Sequence, residues 1–148
     1  MESWELAARE GIRDTIAQYA HYADSGRFDA LAALFTADGV LEIPDHVLSG
    51  RAAIRAFLSD MRSNLATTLA APLIRHHVSS VAIIVSGQDR AEARSYFLAI
   101  TAAGPDHWGR YRDELVLVGD RWLFRRRRVR RDGFAAGSWV AARARSGG

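Results

Sequence analysis

The sequence predicts an α+β fold in which N-terminal helices pack on one face of a curved antiparallel sheet. Two observations lead to this prediction. Apolar residues in the first part of the chain recur mostly at helical spacing, whereas the part after Leu73 consists of four long strand-like stretches separated by turn signals. A strongly curved sheet closed by helices forms a cone with an apolar interior, a common shape for a small-molecule pocket. At 148 residues the chain has the length of one domain, so residues 1–148 are expected to form a single domain.

The N-terminal part of the chain predicts three helices and one short strand. Apolar residues between Trp4 and Ala23 follow the helical period, and Ser25-Gly26 interrupts it. The next elements are a short helix in "FDALAALF" (28–35), a strand in "GVLEI" (39–43) and a helix in "SGRAAIRAFLSDMRSNL" (49–65).

The C-terminal part predicts a meander of four strands. Gly119-Asp120, between the last two, is short enough for a tight hairpin. Residues 133–148 are rich in Ala, Gly, Ser and Arg and are expected to form a frayed tail. The strands are "LIRHHVSSVAIIV" (73–85), "RAEARSYFLAIT" (90–101), "GRYRDELVLV" (109–118) and "RWLFRRRRVRR" (121–131).

Composition excludes several classes of site and location. The sequence has no cysteine, which excludes disulfides, thiolate metal sites and a catalytic cysteine. The start of the chain lacks the basic-then-apolar pattern of a secretion signal, and no apolar run approaches the ~18 residues of a membrane span. We therefore expect a cytoplasmic protein with no membrane partner.

The basic residues form one cluster, in the last predicted strand. The net charge is only +3, from 20 basic residues, all of them arginine, and 17 acidic ones. Strand alternation splits the arginines between the two faces, whereas a nucleic-acid patch needs its charges on one surface. We therefore expect ion pairs with neighbouring carboxylates and no nucleic-acid partner. Arg126, Arg128 and Arg130 fall on one side and Arg125, Arg127 and Arg131 on the other, with Asp113, Glu114 and Glu92 as expected partners.

Two adjacent histidines, His76 and His77, lie in the first long strand and must point to opposite faces. The apolar residues of this strand change parity near Ser79-Ser80. A β-bulge would produce that change, and so would a strand covered on both faces. The apolar positions are Ile74 and Val78 before the change and Val81, Ile83 and Val85 after it.

Several stretches resemble the SnoaL-like branch of the nuclear-transport-factor-2-like superfamily, and the resemblance extends from about Leu6 to Asp132. They are "YAHYADSGRFDALAALFTADGVLEI", "GRAAIRAFL", "RHHVSS" and "DRWLFRRRRVRRD". The resemblance implies a cystatin-like cone, in which three N-terminal helices close a curved mixed or antiparallel sheet. The superfamily includes dehydratases, isomerases, polyketide cyclases, dehydrochlorinases and non-catalytic members, so it implies the fold more specifically than the reaction.

Asp24 and His76 are the candidate catalytic residues. Scytalone dehydratase and hexachlorocyclohexane dehydrochlorinase carry a base dyad in the cone, formed by an aspartate at the end of the first helix and a histidine at the start of the first long strand. Asp24 and His76 match these positions, which implies that His76 points inward and His77 outward. Such a dyad removes a proton without metal or organic cofactor, and we expect neither. Alternatively, His76 is a buried, hydrogen-bonded histidine and Asp24 an ordinary helix-ending residue.

Six further residues are candidates for substrate binding. Tyr19 takes the place of a lysine in the dehydrochlorinase, so the resemblance does not imply halide elimination. Arg127, five residues after Trp122, matches an arginine that the dehydrochlorinase uses near its substrate. Four aromatic residues would supply hydroxyls or a flat wall, although a core aromatic is the alternative for each: Tyr22, Tyr96, Trp108 and Tyr111. His107 is not assigned to the pocket, and the histidines show no metal-ligand spacing.

Three functions remain open. The first is a cofactor-independent lyase or isomerase (dehydratase, double-bond isomerase or cyclase) with an Asp-His base, acting on a hydrophobic cyclic or polyketide-like small molecule. The second is a non-catalytic small-molecule-binding or assembly subunit with the same fold. Nucleic-acid binding through the arginine strand is the third and least favoured. The oligomeric habit of the family and the surplus of apolar and arginine side chains on the strands predict a homodimer or larger oligomer that forms through the outer face of the sheet.

Overall fold

The computed structural model describes residues 1–68 and 73–146, and within them helices precede the sheet as expected. The helices are α1 (Ser3–Ser25), α2 (Phe28–Ala32), α3 (Arg51–Thr68) and α4 (Trp139–Ser146). The strands are β1 (Phe35–Ile43), β2 (His46–Ser49), β3 (Ile74–Val85), β4 (Arg90–Thr101), β5 (Gly104–Val118) and β6 (Arg121–Phe134).

The strands of the described residues form one six-stranded sheet in the order β2-β1-β6-β5-β4-β3. The four long strands form an antiparallel meander, and β1 lies parallel to β6. The predicted α+β fold with a mixed sheet is therefore confirmed. The sheet does not close on itself, so β2 and β3 are its edges.

Elements near both ends of the chain differ from the sequence prediction. The predicted second helix ends at Ala32, because Phe35 pairs with β6 and is completely buried. Strand β2 was not predicted; it forms a tight hairpin with β1 through Asp45, which has a left-handed backbone (φ 69°). The expected frayed tail differs as well, since β6 continues to Phe134 and 139–146 form α4. Residues 147–148 of that tail lie outside the described residues.

A β-bulge interrupts β3, as the change of apolar parity allowed. The pairing with β4 shifts between Ser79 and Ala82, where β3 has one extra residue, and Ser80 has a left-handed φ of 54°. The bulge lets His76 and Ile83 face the same side of the sheet despite their opposite parity, since their partners on β4 are an even number of residues apart. This shared side is the inner face, which α1 covers.

Helix α1 packs across the inner face and builds the main core. Gly11 allows the close approach, since a Cβ atom there would lie 2.9 Å from Cδ1 of Trp122. Thr15 Oγ1 donates a hydrogen bond of 2.6 Å to the carbonyl oxygen of Trp122. The buried residues of α1 meet those of β1, β5 and β6 in one cluster that includes Ile12, Ile16, Tyr19, Phe35, Leu41, Leu115 and Phe124.

Charged residues on the outer side of β6 pair with carboxylates of neighbouring strands. Arg126 and Arg128 donate to Glu42 Oε2 of β1 at 2.9 and 3.2 Å, and Arg126 lies 4.0 Å from Glu114. The prediction that neighbouring carboxylates pair with this strand is confirmed for Glu114 and for Asp113, which pairs with Arg127 on the inner side. Among the described residues Glu92 forms no ion pair, and Glu42 is a partner that the sequence did not indicate. These pairs leave fewer unpaired positive charges on this side than the sequence alone implies.

The outer face of the sheet also exposes large apolar side chains. Tyr96, Ile84 and Trp108 are 56%, 51% and 38% exposed. Each projects from the outer face, because its neighbours along the strand are inner residues. Large exposed apolar side chains on one surface mark it as a candidate protein–protein contact.

We predict that this face joins two copies of the chain in solution. Light scattering at tens of micromolar should give at least twice the mass of one chain, and Tyr96→Asp should shift the protein to monomer because a buried, unpaired carboxylate is costly. Val47→Asp is the matched control, since Val47 is 65% exposed but lies on β2 at the far edge. A monomeric unsubstituted protein would contradict the prediction.

Candidate active site

Asp24 and His76 form a doubly hydrogen-bonded pair. His76 Nδ1 lies 2.6 Å from Asp24 Oδ1, and the backbone N–H of His76 donates to Asp24 Oδ2 at 3.0 Å. The side chains of Asp24 and His76 are 11% and 18% exposed. Both carboxylate oxygens therefore hold one residue, which fixes the position of the imidazole ring relative to its own backbone.

The ends of two elements place this pair. Helix α1 ends directly after Asp24, where Gly26 adopts a left-handed φ of 71°. Arg62 of α3 donates to the carbonyl oxygen of Asp24 at 3.0 Å. His76 lies near the start of β3, an edge strand, so backbone N–H groups on its free side have no strand partner. One of these N–H groups is the donor to Asp24.

The hydrogen bonds determine which nitrogen of His76 carries the proton. An ionised carboxylate only accepts, so Nδ1–H of His76 donates to Asp24 and Nε2 of the neutral ring keeps its lone pair. Within the described residues, no hydrogen bond occupies Nε2. An imidazole held in this way is suited to accept a proton at Nε2.

The pair borders an open cleft of about 460 Å³ between α1 and β3. Solvent and small molecules therefore have access to the dyad. His76 is inward and half-buried and His77 is exposed, so the two neighbours occupy opposite faces as expected. Besides the dyad, the cleft is lined by Ala17, Ala20, His21, Ser25, Arg75, His77 and Val78.

A second histidine lies beside the first on the inner face. Strand register puts His76, Ala99 and His107 in one row across β3, β4 and β5. The ring centroids of His76 and His107 are 6.4 Å apart. His107 Nδ1–H donates to Asp106 Oδ2 at 2.8 Å, so His107 has its own carboxylate.

The sequence put His107 at a strand start but gave no reason to assign it to the pocket, because the strand was predicted only from Gly109, whereas β5 begins at Gly104. With the longer strand, His107 and Tyr111 are four residues apart and share the inner face.

Burial and charge set the protonation of this second pair. Burial lowers the pKa of His107, and the charges of His76 and Arg131 lower it further, against the opposing effect of Asp106. Burial raises the pKa of Asp106, but hydrogen bonds from His107, Trp139 and Ser138 outweigh it and leave the pKa below its usual value. At neutral pH, Asp106 is therefore ionised and His107 is neutral.

Aromatic rings line the inner face next to both histidines. The centroid of the Phe97 ring lies 6.3 Å from that of His76 and 5.8 Å from that of His107. Tyr111 stacks on Phe97 at 4.8 Å, and Tyr19 meets Tyr111 edge-on at 6.1 Å. The structure thus brings Tyr111, and through it Tyr19, close to the dyad. Burial raises the pKa of both tyrosines, so both keep their protons.

Arg127 lies deeper than the sequence predicted. Its side chain is completely buried, and Nε and Nη2 donate to the two oxygens of Asp113 at 2.8 and 2.9 Å. The guanidinium carbon lies 4.2 and 3.9 Å from the ring centroids of Tyr19 and Tyr111. Nη1 has no hydrogen-bond partner in the described part of the chain. Arg127 therefore supports the two tyrosines from within the core.

Two predicted pocket residues were assigned to the wrong face. Tyr96 directly precedes the inner residue Phe97, and Trp108 directly follows the inner residue His107. Because neighbours on a strand alternate between faces, Tyr96 and Trp108 lie on the outer face. The indole of Trp108 covers Gly133, where a Cβ atom would lie 2.8 Å from the ring. Neither residue can contact a molecule bound at His76.

Tyr22 packs at the margin of the main core, and the guanidinium carbon of Arg27 lies 4.8 Å from its ring centroid. The structure places it near the end of α1 but gives it no direct role in the dyad.

The described residues contain no group of three or more His, Cys, Asp or Glu side chains arranged to hold a metal ion. None of the helices in this part of the chain is long and apolar enough to cross a membrane.

Comparisons with known proteins agree with this architecture. A protein from Novosphingobium aromaticivorans, provisionally named a scytalone dehydratase, is 26% identical with a TM-score of 0.78 over 91% of this chain and 91% of its own. An NTF2-like protein with a cystatin-like fold from the same organism is 29% identical, with a TM-score of 0.71 over 92% of this chain and 86% of its own. A protein from Catenulispora acidiphila, solved in complex with S-DNPA, is 27% identical with a TM-score of 0.72 over 86% of this chain and 95% of its own.

A comparison with curated proteins gave no match. The family model described as a SnoaL-like domain matches residues 4–128. Since this match covers most of the chain, and since similar structures are NTF2-like with a cystatin-like fold, the chain belongs to the family of SnoaL-like domains.

Proposed function

We propose that the protein is a cofactor-independent lyase or isomerase (a dehydratase, double-bond isomerase or cyclase) that acts on a hydrophobic cyclic or polyketide-like small molecule. The observation that carries the proposal is the geometry of the dyad. Asp24 binds both Nδ1 and the backbone N–H of His76, and the dyad borders an open cleft. This arrangement holds a neutral imidazole with Nε2 available as a base.

The reaction begins when His76 Nε2 removes a proton from a carbon next to a carbonyl group. The C–H electron pair forms an enolate, and Asp24 stabilises the imidazolium that results. In a dehydration, the enolate expels a β-hydroxyl group, which takes the proton from His76 and leaves as water. In an isomerisation, His76 returns the proton to a different carbon. Both outcomes restore neutral His76 without a second reactant.

His107 is suited to orient the substrate. It is neutral at physiological pH because burial lowers its pKa, and its Nδ1–H is bound to Asp106. Its Nε2 therefore accepts a hydrogen bond from a substrate hydroxyl group. The ring centroids of His76 and His107 are 6.4 Å apart, so a substrate that enters past His76 toward the inner face meets His107 next, although His107 does not line the cleft itself.

The similar structures support a small-molecule role. One is provisionally named a scytalone dehydratase, and another was solved with the small molecule S-DNPA. Phe97 and Tyr111 are buried behind His76 and do not line the cleft, so they support the dyad from within the core.

Deuterium exchange provides the test. The protein is incubated in D₂O with a panel of cyclic β-hydroxy ketones and enones, and ¹H NMR follows exchange at the α-carbon together with loss of water. Exchange should exceed the buffer rate for the protein and for His46→Asn, and should fall to that rate for His76→Asn. His46→Asn is a matched control because it makes the same change at an exposed histidine of β2, at the opposite edge of the sheet from the dyad.

Equal exchange by His76→Asn and the unsubstituted protein would refute the proposed base. Binding shifts without any exchange, in the unsubstituted protein, would favour the non-catalytic small-molecule-binding function.

A further inference from the structure

The carboxylate of Asp106 joins the inner face to the C-terminal helix. Oδ2 accepts hydrogen bonds from His107 Nδ1–H and from Ser138 Oγ–H, both at 2.8 Å. Oδ1 accepts the backbone N–H of Trp139 at 2.9 Å. Asp106 is only 5% exposed, so these donors stand in place of water around its charge.

The start of α4 is itself firmly placed. Ser138 Oγ accepts the backbone N–H of Ala141 at 3.3 Å, in the manner of a helix N-cap. Trp139 is 4% exposed, and its Nε1–H donates to Asn64 Oδ1 of α3 at 3.3 Å. Trp139 also belongs to the buried cluster that contains Ala99, the residue between the two inner histidines. The first turn of α4 therefore packs close to the row formed by His76, Ala99 and His107.

We propose that Asp106 is a positioning residue for His107 and that α4, through Ser138 and Trp139, holds Asp106 in place. A role of Asp106 in turnover rests on the function proposed above. The effect of Asp106 on the His107 ring does not depend on that function.

A carboxylate accepts from all three donors at once and so keeps the proton of neutral His107 on Nδ1. Nε2 of His107 then remains an acceptor on the inner face. In this arrangement the C-terminal helix, far from His107 in sequence, determines which atom of the ring a bound molecule meets.

Asp106→Asn tests this directly, because an amide has only one acceptor oxygen. The backbone N–H of Trp139 has a fixed direction and requires that oxygen, so the amide NH₂ group must face His107 and Ser138. A donor facing Nδ1 of His107 forces the ring proton to Nε2. The substitution is therefore expected to switch the tautomer of His107 while keeping the shape of the side chain.

Long-range ¹H–¹⁵N NMR of the uniformly ¹⁵N-labelled protein reports the tautomer of each histidine without a substrate. At pH 7 to 8 the unsubstituted protein should show His107 with its proton on Nδ1, and Asp106→Asn should show it on Nε2. Asp132→Asn is the matched control: Asp132 pairs with Arg110 at the surface, and its loss should leave His107 unchanged.

Ser138→Ala distinguishes the effect of the α4 cap from the effect of the Asp106 charge on the His107 ring. It removes one donor and leaves the carboxylate charge, so His107 should keep its proton on Nδ1. Amide exchange in the first turn of α4 should become about fivefold faster, as expected for the loss of a helix cap.

Two results would overturn the proposal. One is a proton on Nε2 of His107 in the unsubstituted protein. This measurement does not need the variant, so it tests the proposal even if Asp106→Asn does not fold. The other is an unchanged tautomer in folded Asp106→Asn, which would make Asp106 a helix cap alone. A protein with the expected tautomers but no activity would refute the proposed function and leave this inference standing.

Discussion

Asp24→Asn and His76→Asn are each expected to lower turnover about 100-fold or more. His76→Asn removes the base itself. Asp24→Asn leaves one acceptor oxygen for two donors, the ring and the backbone N–H of His76. If the amide oxygen keeps the backbone N–H, the amide NH₂ faces Nδ1 and moves the ring proton to Nε2, where a base needs a lone pair.

The double mutant shows whether Asp24 and His76 act together or independently. Because the two residues work as one base, Asp24→Asn with His76→Asn should be little slower than the slower single variant. The single variants should fold normally, since each swap is close in shape and both side chains are partly exposed. Steady-state kinetics on the best substrate of the exchange panel, with circular dichroism as the folding control, measures both claims. Losses that multiply in the double mutant would show that the residues act independently.

Arg127→Met is expected to destabilise the fold by about 3–5 kcal/mol, because it leaves the carboxylate of Asp113 buried without its partner. Both side chains of this pair are completely inaccessible to solvent. Burial lowers the pKa of Arg127, but Asp113 outweighs this effect and raises the pKa above its ordinary value, so the arginine stays charged. The expected loss therefore comes from breaking an ion pair inside the core.

Arg128→Met is the matched control for this measurement. Arg128 is the next residue on β6, but its side chain is 35% exposed and pairs with Glu42 at the surface, so its loss should cost about 0–1 kcal/mol. Replacing both partners, as Arg127→Met with Asp113→Leu, should recover much of the stability because no buried charge is left. Urea unfolding at pH 7 measures all three proteins. Equal midpoints for Arg127→Met and Arg128→Met would contradict the assignment of Arg127 to the core.

The local sequence indicated the opposite faces of His76 and His77 and the possible bulge, whereas the pairing of Asp24 with His76 was implied by the resemblance. Adjacent histidines on a strand must take opposite faces, and the change of apolar parity at Ser79-Ser80 left a bulge as one of two explanations, which the structure confirms. The resemblance then identified His76, rather than His77, as the inner one. The break in the helical period placed Asp24 at the end of the first helix, and the resemblance implied its pairing with His76.

The faces of β4 and β5 could not be predicted from residue size. Except for Phe97, the inner residues of β4 are small, including Ala93, Ser95 and Ala99, because the aromatic rings and Arg127 from other strands fill that space. The large Tyr96 consequently lies outside, although size alone favoured an inner place for it. Only the strand register, which depends on contacts distant in sequence, shows which residues α1 covers.

The C-terminal helix was missed for a different reason. Its sequence is rich in small and charged residues and carries few apolar side chains. Trp139 and the hydrogen bonds to Asp106 hold its first turn in place. A helix that depends on one buried indole and one distant carboxylate has almost no periodic signal in its own sequence.

Because β3 is a free edge of the sheet, Asp24 also affects whether β3 can pair with strands of other molecules. An unpaired strand edge offers N–H and C=O groups to any other extended chain and so promotes aggregation. Asp24 occupies one of those N–H groups at His76, and the bulge at Ser80 breaks the regular spacing further along. The carboxylate that holds the imidazole thus also interrupts the template for strand addition at the free edge of β3.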